Sequence, residues 1–380
     1  MTEAGDRWQW FRERRLPAEL VHLDSAAAGR SSVATLRATA AYAEREATVG
    51  GYVAQAEGTP GLNEGRAALA GLLGIPALGL AFVESAHAAI DVLLDAWPLA
   101  DGDVVAVVSS EWGPNLNAFS RHGLRITELA VHADGLLDLA GLERLLGGDP
   151  PALVHLTQVA SHRPLVQPAA EAAALCRAAG VPLWVDAAQA IGHVDTAIGA
   201  DAAYAVSRKW LTGPRGVGML AIAEPWWDRL RIHASDLQRD SQPAGTGPVW
   251  LLESAEANIA GRIGLCNAVQ EFRSAGPAGI WQRLAQVGRQ TRQALTDLPG
   301  WAVLPAVGPS VAITALRPLG GQDVAATRAR LLDEHGIVST ACATSRAPRE
   351  MKGPLLRISP HVDCTPDELN LLRKALIALG

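Results

Sequence analysis

The sequence is poor in cysteine and has no block of charge of one sign. Its four cysteines, Cys176, Cys266, Cys342 and Cys364, are widely spaced and include no Cys-x-x-Cys pair, which argues against a zinc site or a disulfide framework. The formal net charge is −6 with both signs mixed along the chain, and no run of Lys and Arg indicates nucleic-acid binding. We therefore expect no metal ion and no nucleic-acid partner.

Long apolar runs are also missing. Hydrophobic residues make up 49% of the 380 residues, but no stretch free of charge reaches the roughly 20 residues that span a bilayer. The first residues are polar and charged and lack the basic-then-apolar order of a secretory signal. These features predict a cytoplasmic protein that does not bind a membrane, and the length allows two domains and a large buried core.

Short apolar runs alternate with longer stretches rich in Ala and Leu over the first two thirds of the sequence. Several runs are continuously apolar and rich in β-branched residues, as strands covered on both faces are. Two helical patterns between them end at Gly74 and Gly180, which suit a left-handed helix stop. This alternation predicts an α/β domain with a mostly parallel sheet and a ligand beyond the carboxyl ends of its strands. The predicted strands are Val104–Val108, Ala152–Leu156, Leu183–Val185, Ala203–Val206 and Val217–Ala223.

The pattern changes near residues 236–250, where Ser, Gln, Pro, Gly and Thr cluster. A long helical region is predicted after it, from about Leu251 to Leu295. We therefore predict a large domain over residues 25–250 and a smaller α/β C-terminal domain over residues 251–380, with residues 1–24 as a candidate for packing on the smaller one. The predicted strands of the smaller domain are Ala302–Leu304, Val311–Ala315, Ile337–Thr340 and Leu355–Ile358, beside two helices.

Two successive predicted strands end in polar residues that together indicate a cofactor site. Asp186 closes one strand, with Gln189 three residues on, and Lys209 follows the next strand in the sequence Ser-Arg-Lys-Trp. A pyridinium cofactor needs a carboxylate at its ring nitrogen, an amine for an imine link and donors for its phosphate. Each residue alone is weak evidence, because an Asp that ends a strand is more often a helix cap and a Lys there is usually solvated. Side by side at neighbouring strand ends, they predict a pyridoxal-phosphate site.

The stretches VDAAQAIGH from Val185 and SRKWLTGPRGVGML from Ser207 resemble those of fold-type I pyridoxal-phosphate enzymes of the class V aminotransferase group. That group includes cysteine desulfurases, kynureninase and amino-acid carbon–sulfur lyases. The resemblance runs along nearly the whole chain, from HLDSAAAG at His22 to LLRISPHVD at Leu355. It implies the fold-type I architecture, pyridoxal 5′-phosphate as the cofactor, an amino acid as the substrate, and a homodimer with active sites at the subunit interface.

The resemblance also implies a role for each matching residue. Lys209 is the catalytic residue that links covalently to the cofactor and later moves the Cα proton of the substrate. Asp186 pairs with the ring nitrogen, and Gln189 forms a hydrogen bond with the ring hydroxyl. Trp112 stands where relatives often have a stacking His, and its ring can stack as well. Arg357 matches the arginine that binds the substrate α-carboxylate, which a planar guanidinium suits.

The phosphate site departs from the pattern of the family. The first phosphate loop of relatives usually contains a Thr before a helix, but this chain reads VESAHAAI there. A serine or backbone N–H groups must therefore bind the phosphate in its place. In a later segment that contacts the phosphate of the neighbouring subunit in relatives, Glu256 replaces a Thr, so that contact is lost or replaced. The candidate phosphate ligands are Ser85, the N–H groups of Ala86 and His87, and Ser207 and Arg208 in the turn that binds phosphate in relatives.

Several shorter stretches resemble one subgroup of the family, the carbon–sulfur lyases of ergothioneine biosynthesis, which act on hercynylcysteine sulfoxide. They are EATVGGYV from Glu46, EWGPN from Glu111, HLTQVASHR from His155 and RAPREM from Arg346. The resemblance implies a β-elimination that breaks a Cβ–S bond and gives a sulfenate, pyruvate and ammonia. The candidates for substrate contacts are Tyr52, from across a dimer interface, Asn115, Ser161 and Arg346.

Two alternatives remain open. A cysteine desulfurase needs a mobile nucleophilic cysteine, and Cys342 lies fifteen residues before Arg357 in a predicted loop. Its flanks, in TACAT, lack the His-rich sequence found in desulfurases, and a small buried residue is the plainer interpretation of Cys342. A cofactor-binding module without catalysis is the second alternative, disfavoured because Lys209 and Arg357 are both present and no DNA-binding segment is appended.

Overall fold

The computed structural model describes residues 3–243, 246–254 and 256–379. The strands among them are β1 (Val21–His22), β2 (Leu80–Val83), β3 (Val104–Val107), β4 (Arg125–Glu128), β5 (Leu153–Thr157), β6 (Leu183–Asp186), β7 (Ala202–Val206), β8 (Gly218–Ile222), β9 (Trp301–Val303), β10 (Thr314–Pro318), β11 (Ile337–Val338), β12 (Thr340–Cys342) and β13 (Leu355–Ile358). The α-helices are α1 (Glu3–Glu13), α2 (Val33–Val49), α3 (Gly51–Leu72), α4 (Ala86–Ala96), α5 (Gly113–Arg121), α6 (Leu139–Gly148), α7 (Ala169–Ala179), α8 (Asp236–Asp240), α9 (Ile259–Ala275), α10 (Pro277–Ala294), α11 (Val324–His335) and α12 (Pro366–Ala378).

A seven-stranded sheet in the order β2-β8-β7-β6-β5-β3-β4 forms the centre of the large domain. The strands from β4 to β7 pair in parallel, while β8 runs antiparallel between β7 and β2. Alternate residues of each strand enter two separate apolar cores, as Val185 and Trp184 of β6 do on opposite faces. Burial on both faces explains why these strands are continuously apolar. The predicted α/β fold with a mostly parallel sheet is confirmed.

A four-stranded antiparallel sheet in the order β12-β13-β10-β9 forms the centre of the C-terminal domain. It packs with α10, α11 and α12. The short strand β1 pairs in parallel with β11, while the packing of residues 1–24 on the smaller domain stays a prediction. Helix α9, however, packs against α2 and α3 of the large domain. A Cβ on Gly65 of α3 would collide with the side chain of Cys266 of α9, so a glycine is needed where these two helices meet. The contacts therefore do not mark a boundary near residue 250.

The structure divides two segments that the sequence analysis predicted as continuous. The predicted helical region from Leu251 to Leu295 contains two helices, because Gly276 adopts a φ of 84° between α9 and α10. The predicted strand Ile337–Thr340 is split between β11 and β12, which belong to different sheets. Gly74 and Gly180, by contrast, have the left-handed φ values of 68° and 70° expected of helix stops.

The predicted strand Val311–Ala315 begins later in the structure, at Thr314. The three residues before it are buried, but side chains rather than a neighbouring strand satisfy their backbone. The N–H of Ala312 donates to Nε2 of His193 at 2.8 Å, and Nη1 of Arg292 donates to the carbonyls of Val311 and Ile313 at 3.1 Å each. Apolar composition alone does not reveal such long-range partners. No helix among the described residues is both long and apolar enough to cross a membrane.

Candidate active site

A cavity of about 380 Å³ lies at the carboxyl ends of three neighbouring parallel strands. Its wall includes Thr157, Asp186 and Val206, the last residues of β5, β6 and β7. Lys209 follows β7 and faces the same cavity. Because parallel strands end at the same edge of a sheet, residues that are far apart in sequence meet here.

The carboxylate of Asp186 is buried in the wall of this cavity. Its Oδ1 accepts a hydrogen bond from the N–H of Ala188 at 2.8 Å, and its Oδ2 accepts one from Nδ2 of Asn115 at 3.0 Å. Burial raises the pKa of Asp186, while the charge of Lys209 and these hydrogen bonds act in the opposite direction. A bound cation would lower the pKa of Asp186 further, as the charge of Lys209 does. Asp186 is therefore suited to pair with a protonated ring nitrogen.

The amine of Lys209 holds its proton weakly. Burial lowers the pKa of Lys209 to about 7, against the opposing effect of Asp186. Three neighbouring positive charges lower it further, those of Arg208, Arg357 and Arg346. The amine makes no hydrogen bond with any residue that the structure describes. A substantial fraction is therefore neutral near pH 7, as a nucleophilic amine requires.

Gln189 and Trp112 face the same cavity. The amide of Gln189 is held at both ends, since Nε2 donates to the carbonyl of Ala26 at 2.8 Å and Oε1 accepts from Nε1 of Trp210 at 2.9 Å. Its second N–H remains for a ligand. Trp112 precedes α5 and is half-buried. Both residues are therefore placed where the predicted ring contacts would form, and the contacts themselves stay predictions.

The N-terminus of α4 forms another part of the wall. Ser85 caps the helix by accepting the N–H of Ala88 at 3.0 Å, and Ser85, Ala86 and His87 all line the cavity. The N–H groups of Ala86 and His87 have no acceptor in the part of the chain that the structure describes. Two donors and the positive end of a helix dipole are therefore open to an anion. This arrangement agrees with the predicted backbone anchor for phosphate.

The two candidates in the turn after β7 have different surroundings. Arg208 lines the cavity and remains a candidate for the phosphate. Ser207 does not line the cavity, is fully buried, and donates its hydroxyl hydrogen to the carbonyl of Pro214. That contact joins the residue after β7 to the loop that leads into β8. The predicted contact of Ser207 with the phosphate stays a prediction.

The guanidinium of Arg357 is completely buried and already engaged. Nη1 donates to the carbonyl of Ser161 at 2.7 Å, and Nη2 donates to Oδ1 of Asp24 at 3.1 Å and to the hydroxyl of Thr340 at 3.3 Å. Ser161 lines the cavity, but Arg357 does not. The predicted contact between Arg357 and a substrate carboxylate stays a prediction. In this structure Arg357 supports the cavity wall through Ser161.

Arg346 supplies a free positive charge at the cavity. It ends the short 3-10 turn Thr344–Arg346, is half-buried and lines the cavity together with Lys209. Its side chain forms no hydrogen bond or salt bridge with any described residue. Burial lowers the pKa of Arg346, although Asp24 partly offsets this. A half-buried guanidinium without a partner is suited to an anion that arrives with a ligand.

Two other predicted substrate contacts lie outside this cavity. Asn115 is buried and does not line it, because its amide donates to Asp186 and to Glu111 instead. The predicted substrate contact of Asn115 stays a prediction. Tyr52 is 92% exposed near the start of α3 and lines a separate cavity beside Glu256. Its contribution to the site of a neighbouring subunit stays a prediction.

The sequence analysis missed a buried polar cluster next to Asp186. Two signals were present in the sequence. His155 interrupts the apolar run ALVHL, and Tyr204 interrupts AAYAV, in strands predicted to be covered on both faces. A polar group in such a strand needs a buried partner. The cluster consists of Glu111, Asn115, His155, Thr157 and Tyr204, each of which is at most 3% exposed.

Cys342 is not in a loop, as the sequence analysis predicted, but is the last residue of β12. It is completely buried and packs with Ala315, Met351 and Leu355 in a small apolar core. The other three cysteines are buried as well. A thiol in this setting cannot move to a substrate unless the strand is displaced.

These surroundings fit pyridoxal phosphate. The cavity wall contains an amine whose pKa is lowered to about 7, a buried carboxylate that can pair with a cation, and an indole ring. The same wall contains two unpaired backbone donors and the Arg208 guanidinium for a phosphate. Lys209, Asp186, Gln189, Trp112, Ala86, His87 and Arg208 are the residues that would hold the cofactor.

Comparison with known sequences agrees with this interpretation of the site. The family described as aminotransferase class-V matches residues 21–372. The chain is 45% identical over 377 residues to a probable hercynylcysteine sulfoxide lyase of Mycobacterium tuberculosis, which covers 98% of this chain and 93% of that protein. It is 29% identical over 300 residues to a cysteine desulfurase of Dickeya dadantii, covering 74% and 72%. It is 26% identical over 342 residues to an isopenicillin N epimerase of Streptomyces clavuligerus, covering 84% of each.

Solved structures agree on the fold. The apo structure of a cysteine desulfurase from Thermococcus onnurineus NA1 superimposes with a TM-score of 0.83 at 20% identity, covering 95% of this chain and 94% of that one. The complex between the cystine C–S lyase C-DES and its product cysteine persulfide gives a TM-score of 0.83 at 20% identity, covering 95% and 98%.

Proposed function

Because the chain belongs to the aminotransferase class-V family, we propose that it is a pyridoxal-phosphate-dependent carbon–sulfur lyase. The proposed substrate is a cysteine S-conjugate sulfoxide, hercynylcysteine sulfoxide, cleaved in ergothioneine biosynthesis to a sulfenate, pyruvate and ammonia. The observation that carries the proposal is the shared cavity of Lys209 and Asp186 in a chain 45% identical to a probable lyase of this kind. A cytoplasmic location and a homodimer belong to the same proposal.

Each group at the cavity has a place in this reaction. Pyridoxal phosphate, when bound, supplies an electron sink that makes the Cα–H bond of the attached amino acid acidic. Lys209, whose pKa is about 7, removes the Cα proton. The electron pair left at Cα forms a double bond to Cβ as the Cβ–S bond breaks, and the sulfur leaves with the bonding electrons as a sulfenate. Water then converts the remaining three-carbon unit into pyruvate and ammonia.

We assign the substrate carboxylate to Arg346. It is the cavity guanidinium on the side of the C-terminal domain, and it has no partner among the described residues. Pairing with a carboxylate would satisfy its donors and hold the Cα–H bond in one orientation. The hydrogen bonds of Arg357 to Asp24 and Ser161 support assigning it the role of holding the cavity wall.

The buried cysteines favour a lyase over a cysteine desulfurase. A desulfurase must bring a thiolate to the sulfur of the substrate. Cys342 is held in β12 without exposure, and the other three thiols are buried too. A β-elimination from an oxidised sulfur needs no protein thiol, because the sulfenate is a good leaving group.

A product assay tests the proposal. The holoenzyme is incubated with hercynylcysteine sulfoxide and, separately, with free cysteine, and pyruvate, alanine and sulfide are measured. We expect pyruvate from the sulfoxide in step with ammonia, and little sulfide from cysteine. Alanine with sulfide from cysteine, and no pyruvate from the sulfoxide, would instead establish the desulfurase.

A further inference from the structure

Glu111 is a completely buried carboxylate that does not touch the cavity. It lies just before α5 and accepts four hydrogen bonds. Its Oε1 accepts from the N–H of Trp112 at 2.9 Å, from Nδ2 of Asn115 at 2.8 Å and from the hydroxyl of Thr157 at 2.6 Å. Its Oε2 lies 2.9 Å from Nδ1 of His155. Burial acts to raise the pKa of Glu111, but the interactions with His155, Thr157 and Asn115 outweigh it and bring that pKa below its usual value.

The side-chain amide of Asn115 joins Glu111 to Asp186. Nδ2 of Asn115 lies 2.8 Å from Oε1 of Glu111 and 3.0 Å from Oδ2 of Asp186. The two N–H bonds of one amide thus point to two different carboxylates. A flipped amide would turn its oxygen towards both, so this orientation is the one that the carboxylates allow. Glu111 therefore fixes the donor that orients Asp186.

The far end of the cluster is a second contact of the same imidazole ring. Nε2 of His155 lies 2.9 Å from the hydroxyl of Tyr204, and burial raises the pKa of Tyr204 well above its usual value. Both ring nitrogens of His155 therefore lie within hydrogen-bond distance of a member of the cluster, and the ring holds the carboxylate of Glu111 in one position.

We propose that Glu111 is a positioning residue that fixes Asp186 through Asn115 and places a second negative charge behind it. That charge increases the affinity of the ring nitrogen of a bound pyridoxal phosphate for its proton, and so strengthens the cofactor as an electron sink. The proposal rests on the proposed function only in requiring this cofactor on Lys209. It does not depend on which amino acid is cleaved.

Charged groups on other elements also act on Asp186 and on the ring nitrogen that it would pair with. Lys209 faces Asp186 from the turn after β7, and Arg208, Arg357 and Arg346 surround Lys209 with positive charge. These cations disfavour a proton on the ring nitrogen. The charge of Glu111 acts on Asp186 with the opposite sign to that of Lys209, so it offsets them.

Glu111→Gln tests this charge with little change of shape. The glutamine oxygen can still accept from Trp112, Asn115 and Thr157, and its Nε2 can donate to Nδ1 of His155 once that ring carries its hydrogen on Nε2. Glu271→Gln is the matched control, because Glu271 is a largely buried carboxylate bonded to Arg15 at 3.3 Å and does not line the cavity. The visible absorption of bound pyridoxal phosphate is titrated against pH in both variants and in the wild type.

We expect the apparent pKa of the bound chromophore to shift in Glu111→Gln by on the order of half a pH unit or more, and to stay unchanged in Glu271→Gln. We also expect kcat to fall by roughly tenfold or more while KM changes by less than about threefold, as for other residues that orient a reacting group indirectly. A folded Glu111→Gln holoenzyme with a wild-type titration curve would overturn the proposal.

Tyr204→Phe provides the test if Glu111→Gln does not retain the cofactor. It removes one hydroxyl and leaves Glu111, Asn115 and Asp186 in place. Without that hydroxyl, Nε2 of His155 loses its partner, so the ring holds Glu111, and through it the amide that orients Asp186, less firmly. The proposal then requires the chromophore pKa to move in the same direction by a smaller amount, and an unmoved curve would overturn it. If the lyase assay fails, the spectral result on Glu111 can still hold. The failure of the proposed function and the failure of the proposed role of Glu111 can therefore be told apart.

Discussion

Arg357 of β13 and Asp24, which follows β1, form a buried ion pair with 3.1 Å between Nη2 and Oδ1. The side chain of Arg357 has no exposure, and that of Asp24 has 10%. A second hydrogen bond from Arg357 reaches the carbonyl of Ser161 in the cavity wall. The pair therefore connects the C-terminal sheet to the wall of the active site.

Arg357→Ala should destabilise the protein as well as the site. Removing the guanidinium leaves Asp24 buried without its partner, and breaking a buried pair in this way costs about 3–5 kcal/mol. We expect a loss of that order in the free energy of unfolding, measured with urea, and a large fall in kcat/KM. Arg357→Lys should lose less stability because it retains the charge. A wild-type unfolding curve for Arg357→Ala would contradict the structural role.

Arg346→Ala should affect substrate binding with little effect on stability. Its guanidinium has no partner to leave unpaired among the described residues, so the free energy of unfolding should change little. Loss of a charge-assisted contact with a carboxylate should raise KM by roughly tenfold or more. Arg349→Ala is the control, because Arg349 is a neighbouring arginine that pairs with Glu128 and does not line the cavity. An unchanged KM in Arg346→Ala would remove its assignment.

Lys209→Ala should abolish the cofactor adduct that borohydride traps. The sequence contains two other lysines, Lys352 and Lys374, and both are exposed and absent from the cavity wall. Reduction followed by peptide mass mapping should locate the adduct on Lys209 alone in the wild type. Lys352→Ala serves as the control and should retain it. An adduct that persists at either other lysine in Lys209→Ala would contradict the site.

Attachment of the cofactor should depend on pH through Lys209. The pKa of Lys209 is lowered to about 7, so its amine becomes neutral as the pH rises through 7. Only the neutral amine attacks an aldehyde. We expect the rate of pyridoxal-phosphate attachment to the cofactor-free protein to rise between about pH 6 and pH 8 and then level off. A rate that still increases steadily up to pH 10 would indicate an ordinary exposed lysine.

Cys342→Ser should leave pyruvate formation nearly intact if the enzyme is a lyase. The four thiols are buried, so the native protein should react slowly with a thiol reagent, and all four should react after denaturation. A collapse of the rate in Cys342→Ser at unchanged stability would indicate that this thiol takes part in the chemistry. A circular-dichroism melt checks that the variant remains folded.

The parts of the site that follow from local sequence were predictable. Asp186, Gln189 and Lys209 lie directly after strands, and apolar runs identify those strands. Since parallel strands end at one edge of the sheet, their sequence positions are enough to bring them together. Trp112 and the N-terminus of α4 were located by resemblance, and both line the same cavity.

The parts that depend on distant partners were not predictable. The sequence of β8 does not show that it runs antiparallel, and nothing near Arg357 shows that Asp24 will bind it from 333 residues away. Asn115 looked like a substrate contact because its neighbours matched a motif, yet its amide is used by two carboxylates. Side-chain pairing over such distances is decided by packing, which local periodicity does not encode.

The pairing of β1 with β11 has a consequence for biosynthesis. Residues 21–24 are made early, but their partners at 337–338 and 357 are made more than three hundred residues later. A nascent chain on the ribosome can therefore form the central sheet and still lack the Arg357–Asp24 ion pair behind Ser161. The wall of the active site is therefore complete only after residue 357 has been synthesised.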